Sequence, residues 1–208
     1  MKMMMEDLTL GLEKLIELCE TIDKNASEME TFRDIPLAKE ALELIKEMPD
    51  YYEDELSPYI KASLLEEIVS RTDELWHPRL TLEIRRYQLE KLSCLTEEDY
   101  KNIDDDYPVK AEDVAYEISR LEDYINPEIS MEEFCRKYNK MLKFDEVERS
   151  SRWEEVIYEA QKAAYEEVGK NFGMGYCFGF WSALSSELAK RGVMWKSPSA
   201  MNPRVHFD

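Results

Sequence analysis

GKNFGMGYCFGFWSALSSELAKRG, residues 169–192, holds five of the six glycines of this 208-residue chain beside its densest aromatic cluster. Phe172, Tyr176, Phe180, Leu184 and Leu188 recur every four residues. Cys177 and Trp181 widen their stripe until apolar side chains cover more than half of the circumference. The pattern predicts a central helix that other helices surround. Gly175, Gly179 and Ala183 also fall four apart, a spacing that lets a neighbouring helix come close. An interior glycine costs a helix roughly 1 kcal/mol relative to alanine. Tight packing, or a ligand passing near the backbone, is therefore expected to compensate, and Gly179 is expected to leave no room for a larger side chain.

Downstream, Lys190 and Arg191 fall in the last turn and Gly192 at the left-handed stop position. Val193 can then touch Leu188, as in a Schellman closure. The tail VMWKSPSAMNPRVHFD carries Met194, Trp195, Met201, Val205 and Phe207, too apolar a set for a disordered segment, and its two prolines oppose helix. An extended strap lying over the acidic body is the expectation.

Upstream, Trp153, Ile157, Ala160, Ala164 and Val168 share one face, whose small residues suit packing against the glycine-bearing helix. Ser151 and Glu154 have the spacing of a capping box before it. Ser130 and Glu133 repeat that spacing, with Ile129 and Phe134 at the flanking staple positions. Earlier stripes are Leu8, Leu12, Leu15, Cys19 and Ile22 over about residues 6–22, then Leu37, Ala41, Leu44 and Met48 after Pro36. Leu64, Leu65, Ile68, Thr72 and Leu75 follow Ser57-Pro58; Leu80, Ile84 and Tyr87 follow His77-Pro78; Val114, Ile118, Leu121 and Ile125 close the series. Ser27 and Glu30 have capping-box spacing, and Thr96 caps the short turn TEEDY. Arg79, Arg85 and Arg86 read as a locally basic surface that pairs with acidic neighbours. No alternating strand pattern, hairpin dipeptide or solenoid period occurs, so the prediction is an all-α compact bundle of about eight helices around the C-terminal one, with an extended tail. Residues 1–208 read as a single domain; a subdomain boundary, if there is one, falls near residues 102–109 in NIDDDYP.

The net charge is −19, and residues 1–60 alone hold 16 acidic against 6 basic side chains. Only residues 181–208 are net positive, with 4 basic and 2 acidic groups. Such a field disfavours nucleic acid and anionic membrane surfaces and favours basic proteins and cations. Cys19, Cys94, Cys135 and Cys177 are widely spaced without a C-x-x-C pair, which reads as reduced core thiols and a cytoplasmic protein. The start, Met1 to Asp7, has no apolar run of signal-peptide length, and the uncharged run Asn171–Ser186 is too short to span a membrane.

Motifs that would carry chemistry are incomplete. Gly173-Met174-Gly175 lacks the third glycine and the preceding strand of a dinucleotide fingerprint, and no phosphate-binding P-loop string exists. Glu17-x-x-Glu20 and Glu40-x-x-Glu43 have di-metal spacing, but 46 acidic residues in 208 make such pairs common by chance. Asn102, Asp104 and Asp106 are spaced like calcium-loop ligands, yet Tyr107 stands where that loop needs glycine and Asp113 where it needs glutamate. His77 and His206 are the only imidazoles, and neither has a sequence-defined partner for acid–base work. The rings of Phe172, Tyr176, Phe178, Phe180 and Trp181 either pack as core or line a pocket. No cofactor or metal site and no catalytic residue is assigned. The leading expectation is a non-catalytic protein-binding module, an adaptor or neutraliser of a basic partner. The alternative is a metal-dependent hydrolase with carboxylates gathered between helices.

Overall fold

A computed structural model describes residues 2–28, 30–48, 57–72, 76–103, 106, 108–169 and 173–207, with side chains from Leu10 onward. Among the described residues the chain is all-α: ten helices, two 3-10 turns and no strand. The helices are α1 Lys2–Ser27, α2 Asp34–Glu47, α3 Ser57–Ser70, α4 Pro78–Leu92, α5 Glu97–Lys101, α6 Ala111–Ile125, α7 Met131–Lys137, α8 Ser151–Val168, α9 Tyr176–Lys190 and α10 Pro198–Met201. Eight correspond to the apolar stripes; the additions are α5, five residues long, and α10, four residues long, both too short for periodicity to reveal. The chain divides into two compact units, Met1–Glu74 with Arg79–Leu121, and Leu75–Pro78 with Glu122–Asp208.

In the first unit, Leu15, Leu18, Ala38, Ala41, Ile45, Leu65, Ile68 and Ile84 form one core, with Leu12, Cys19 and Tyr87 against its edge. The α1 stripe is as the spacing predicts, although Leu8 and Leu75 lie outside the described side chains. α1 runs past Ile22 because Asn25 turns inward, its Nδ2 donating to Asp34 Oδ1 at 2.8 Å. Ser27 consequently ends a helix and opens none: its hydroxyl donates back to the Lys24 carbonyl at 2.7 Å. Pro36 sits inside the first turn of α2, where its missing N–H costs nothing. At the other end of α2 the buried Lys61 ammonium donates to the Met48 carbonyl at 2.6 Å, a cation where the helix dipole is negative. Ser57-Pro58 and Pro78 begin α3 and α4 as expected, whereas Thr72 lies beyond the end of α3. Thr96 caps α5 in a full capping box with Asp99.

The second unit has two apolar clusters. Tyr124, Met131 and Phe134 form the smaller one, with Ile129 packed against it, so the staple at the start of α7 forms, and Ser130 Oγ accepts from Glu133 N at 3.2 Å. The larger cluster joins Trp153, Ile157, Ala160 and Ala164 of α8 to Ala183, Leu184 and Leu188 of α9. The cap of α8 is Ser150, whose Oγ accepts from Trp153 N at 3.1 Å, and not Ser151. The reason lies upstream. Asp145 and Glu148 make their own capping box around the 3-10 turn Glu146–Arg149, and that turn delivers Ser150 in extended geometry.

α9 departs from the expectation of a surrounded helix. It begins at Tyr176 after Gly175, whose φ of 82° is the left-handed conformation that suits glycine, and it buries only Ala183, Leu184, Glu187 and Leu188. Gly179 is exposed, and a Cβ added there would meet only Val168 Cγ1, at 3.9 Å. The close approach expected at the glycines is absent; α8 packs on Ala183, Leu184 and Leu188 instead. The C-terminus of α9 closes as predicted: Gly192 has φ 79°, Val193 N donates to Leu188 O at 2.9 Å and Gly192 N to Ala189 O at 3.0 Å.

The tail docks within this unit. Trp195 is buried, tilted against Trp153 at 5.9 Å between ring centroids, and its Nε1 donates to Glu148 Oε1 at 2.8 Å. Lys196 N donates to Asp145 Oδ2 at 2.8 Å, so the 3-10 turn that sets the α8 cap also receives the tail. Pro198 begins the turn α10 where helix was not expected, because Ser197 caps it and proline suits a first helical position. Asn202 then bridges both backbone groups of Lys143, accepting from its N–H and donating to its carbonyl, each at 2.9 Å.

Candidate functional site

Carboxylates lie along the outer faces of α1 and α2. Glu13, Glu17, Glu20, Asp23, Glu40, Glu43 and Glu47 are all exposed, because the stripes that bury Leu15, Leu18, Ala41 and Ile45 direct them outward. Of the two candidate pairs, Glu40 binds Lys14 at 2.7 Å and Glu43 binds Lys46 at 2.8 Å, while Glu17 and Glu20 face solvent. Among the described residues no three His, Cys, Asp or Glu side chains converge where a metal ion would fit. Asn102 ends α5, Asp106 is exposed and Asp113 lies in the first turn of α6; Asp104 and Tyr107 fall outside the described residues. His77 is buried and His206 exposed. The four cysteines are free thiols; Cys94 is exposed and the other three half-buried, so the core reading holds only in part.

A buried polar network escaped the periodicity argument. Arg85, expected on a basic surface, is 8% exposed and donates through Nη1 to Gln88 Oε1 at 2.8 Å and through both terminal nitrogens to Glu66. Gln88 completes the ring, donating to Glu66 Oε2 and to the Ala62 carbonyl, each at 2.9 Å. Burial works against the charge on Glu66, but the hydrogen bonds from Arg85 and Gln88 outweigh it and hold the carboxyl below its ordinary value. The pair edges a cavity of about 310 Å³ whose wall includes Lys110, Asp113, Tyr116 and Glu117. Glu117 is itself paired with the buried Arg120. Within this wall Glu66 is thus engaged by Arg85, and Glu117 by an arginine behind it. The sequence signal was present in the i, i+3 spacing of Arg85 and Gln88, but nothing local distinguishes an inward arginine from an outward one.

The aromatic residues of α9 form contacts along the helix and to the tail. Tyr176 stacks on Phe180 at 6.1 Å, Phe178 meets Trp181 edge-on at 5.7 Å and Trp181 meets Phe207 edge-on at 5.2 Å; Phe172 lies outside the described residues. Phe178 and Trp181 border a groove of about 530 Å³, closed on its other side by Trp195 to Ser197, Ser199 and Ala200. Among the described residues that line the groove, Lys196 is the one with a charged side chain.

No family model, curated protein or solved structure matches the chain. No described helix is long and apolar enough to cross a membrane.

Proposed function

We propose that this is a non-catalytic, cytoplasmic protein that binds a basic protein partner through the acidic faces of its first unit, as an adaptor or neutraliser. The observation that carries the reading is the arrangement of carboxylates on α1 and α2, spread across solvated faces and partly neutralised by isolated lysines. A spread of this kind supplies long-range steering to a cationic surface, whereas hydrolysis through a metal requires ligands that converge. The net charge of −19 works against direct binding of nucleic acid or an anionic membrane surface. Four thiols without a disulfide fit a reducing compartment.

The test is affinity capture from the native host with wild-type protein and with a Glu13→Lys, Glu17→Lys, Glu20→Lys variant. The expected result is a basic protein retained by the wild type, released by high salt and lost in the variant. Retention by both, unaffected by salt, would overturn the reading. Magnesium or manganese at millimolar concentration is expected to leave the melting temperature unchanged, since a native-state ligand would raise it.

A further inference from the structure

We infer that the C-terminal tail is a latch on the N-terminus of α8: residues 195–202 and the Ser150 cap engage and release together, as one local unit that opens while the rest of the second unit stays folded. Tail and cap meet at the 3-10 turn Glu146–Arg149, where the two carboxylates of its capping box each serve both the turn and the tail. Asp145 divides its oxygens: Oδ1 accepts from Val147 N at 3.2 Å inside the turn, and Oδ2 accepts from Lys196 N at 2.8 Å in the tail. Glu148 Oε1 takes two donors, Asp145 N at 3.2 Å from the box and Trp195 Nε1 at 2.8 Å from the tail. Glu148 is buried, where a hydrogen bond to a charged group is stronger than in water.

The linkage closes on itself. Ser150 Oγ donates to the Val147 carbonyl at 2.6 Å and accepts from Trp153 N at 3.1 Å, so one hydroxyl ties the 3-10 turn to the first turn of α8. The Trp153 ring packs in turn on Trp195, at 5.9 Å between centroids. Tail, turn, cap and helix start thus form a circuit of contacts in which loss of one loosens its neighbours. Other anchors do not involve the tail: Arg149 donates to the carbonyls of Asn126 and Ile129, and Ile157, Ala160 and Ala164 hold α8 in the cluster with α9. They keep the unit folded when the latch is open. Met194 and Val205, 81% and 43% exposed, flank the docked stretch, so a molecule that takes hold of the tail there bares Trp153 and loosens the start of α8.

The experiment is native-state amide hydrogen exchange on the full chain, followed by NMR at rising urea below the unfolding transition. The Lys196 and Trp153 amides are expected to share one opening free energy and one urea slope, both smaller than those of Leu184 and Leu188. Each end of the circuit is then perturbed and read at the other. Trp195→Phe, which keeps a ring and removes the indole donor, is expected to speed exchange at Trp153 about tenfold, the size of one hydrogen bond to a charged group. Ser150→Ala, which removes the cap and touches no tail residue, is expected to speed exchange at Lys196 by about the same factor. Exchange of both amides only in step with Leu184 and Leu188 overturns the inference, because no local unit then opens. So does a tail that opens alone, with Lys196 indifferent to Ser150→Ala or Trp153 indifferent to Trp195→Phe.

Discussion

Asp34 is only 1% exposed, and its Oδ2 has no hydrogen-bond partner. Burial pushes its carboxyl from 3.8 up to about 6, against the opposing hydrogen bond from Asn25 and with help from the charge of Asp23. The folded chain therefore holds this proton more tightly than the unfolded chain does. The associated stability is complete below the unfolded value of 3.8 and is lost as pH rises through about 6. At one pKa unit per ~1.4 kcal/mol the carboxylate costs up to roughly 3 kcal/mol at neutral pH. The helix dipole at the start of α2 returns only about 0.3–1 kcal/mol of that. Asp34→Asn, which keeps an acceptor for Asn25, is predicted to stabilise the protein above pH 6 and to lose its advantage well below it. Urea unfolding of both proteins on either side of that pH measures the difference; an advantage independent of pH would defeat the explanation. Gly179 supplies a second prediction. Its position is helical and open, so Gly179→Ala should raise the unfolding free energy by up to about 1 kcal/mol, where a packed glycine would lower it.

The helix ends show what local chemistry secures by itself. Gly192 closes α9 with φ 79° and open space around a prospective Cβ, so Gly192→Ala should cost about 1 kcal/mol through backbone conformation alone. α7 ends similarly with Asn139 at φ 51°, and Lys140 N donates to Cys135 O at 2.9 Å. Asparagine tolerates this region less well than glycine, so Asn139→Gly should stabilise by a few tenths to about 1 kcal/mol. Thermal unfolding of the two variants gives shifts of opposite sign; shifts of the same sign would mean that neither end is limited by its left-handed residue. The Gly192 closure is legible in the sequence because every group involved lies within six residues, from Leu188 to Val193. The start of α8 is less legible, since Ser151 carries an equally good capping spacing that the 3-10 turn overrides.

For the whole chain, the informative change is loss of the tail. Trp195 places its ring in the cluster with Trp153, and the polar contacts of the tail use the indole N–H, the backbone N of Lys196 and the amide of Asn202, not its cationic side chains. The basic side chains nearest to it, Lys190 and Arg191, are taken up by Glu187 on their own helix. Removing residues 194–208 should therefore lower the unfolding midpoint by a similar amount at low and high salt. Trp195→Ala alone should account for about 3–5 kcal/mol. Equal midpoints for full-length and truncated protein would make the tail a free arm. A loss confined to low salt would mean that ion pairs of the tail's cationic side chains hold it, contrary to the indole, backbone and amide donors seen at Glu148, Asp145 and Lys143.

Periodicity determined the eight long helices, because the direction of a side chain follows from its place on a helical backbone whatever the surroundings. Leu15 and Ile22, Trp153 and Ala160, Leu184 and Leu188 face inward as their spacing requires. The same reasoning placed the acidic faces of α1 and α2, since polar groups occupy whatever circumference the core leaves. What the spacing left undecided depended on partners distant in sequence. Arg85 turned inward because Glu66, nineteen residues away, neutralises it while Gln88 accepts a hydrogen bond from it, and the desolvation cost of an arginine depends on a counter-charge that no local pattern contains. The glycine face of α9 stayed open because α8 covers Ala183, Leu184 and Leu188 instead. The first three turns of α9, residues 176–186, carry no charge and can be buried on any side, and only the packing of their neighbours chooses which.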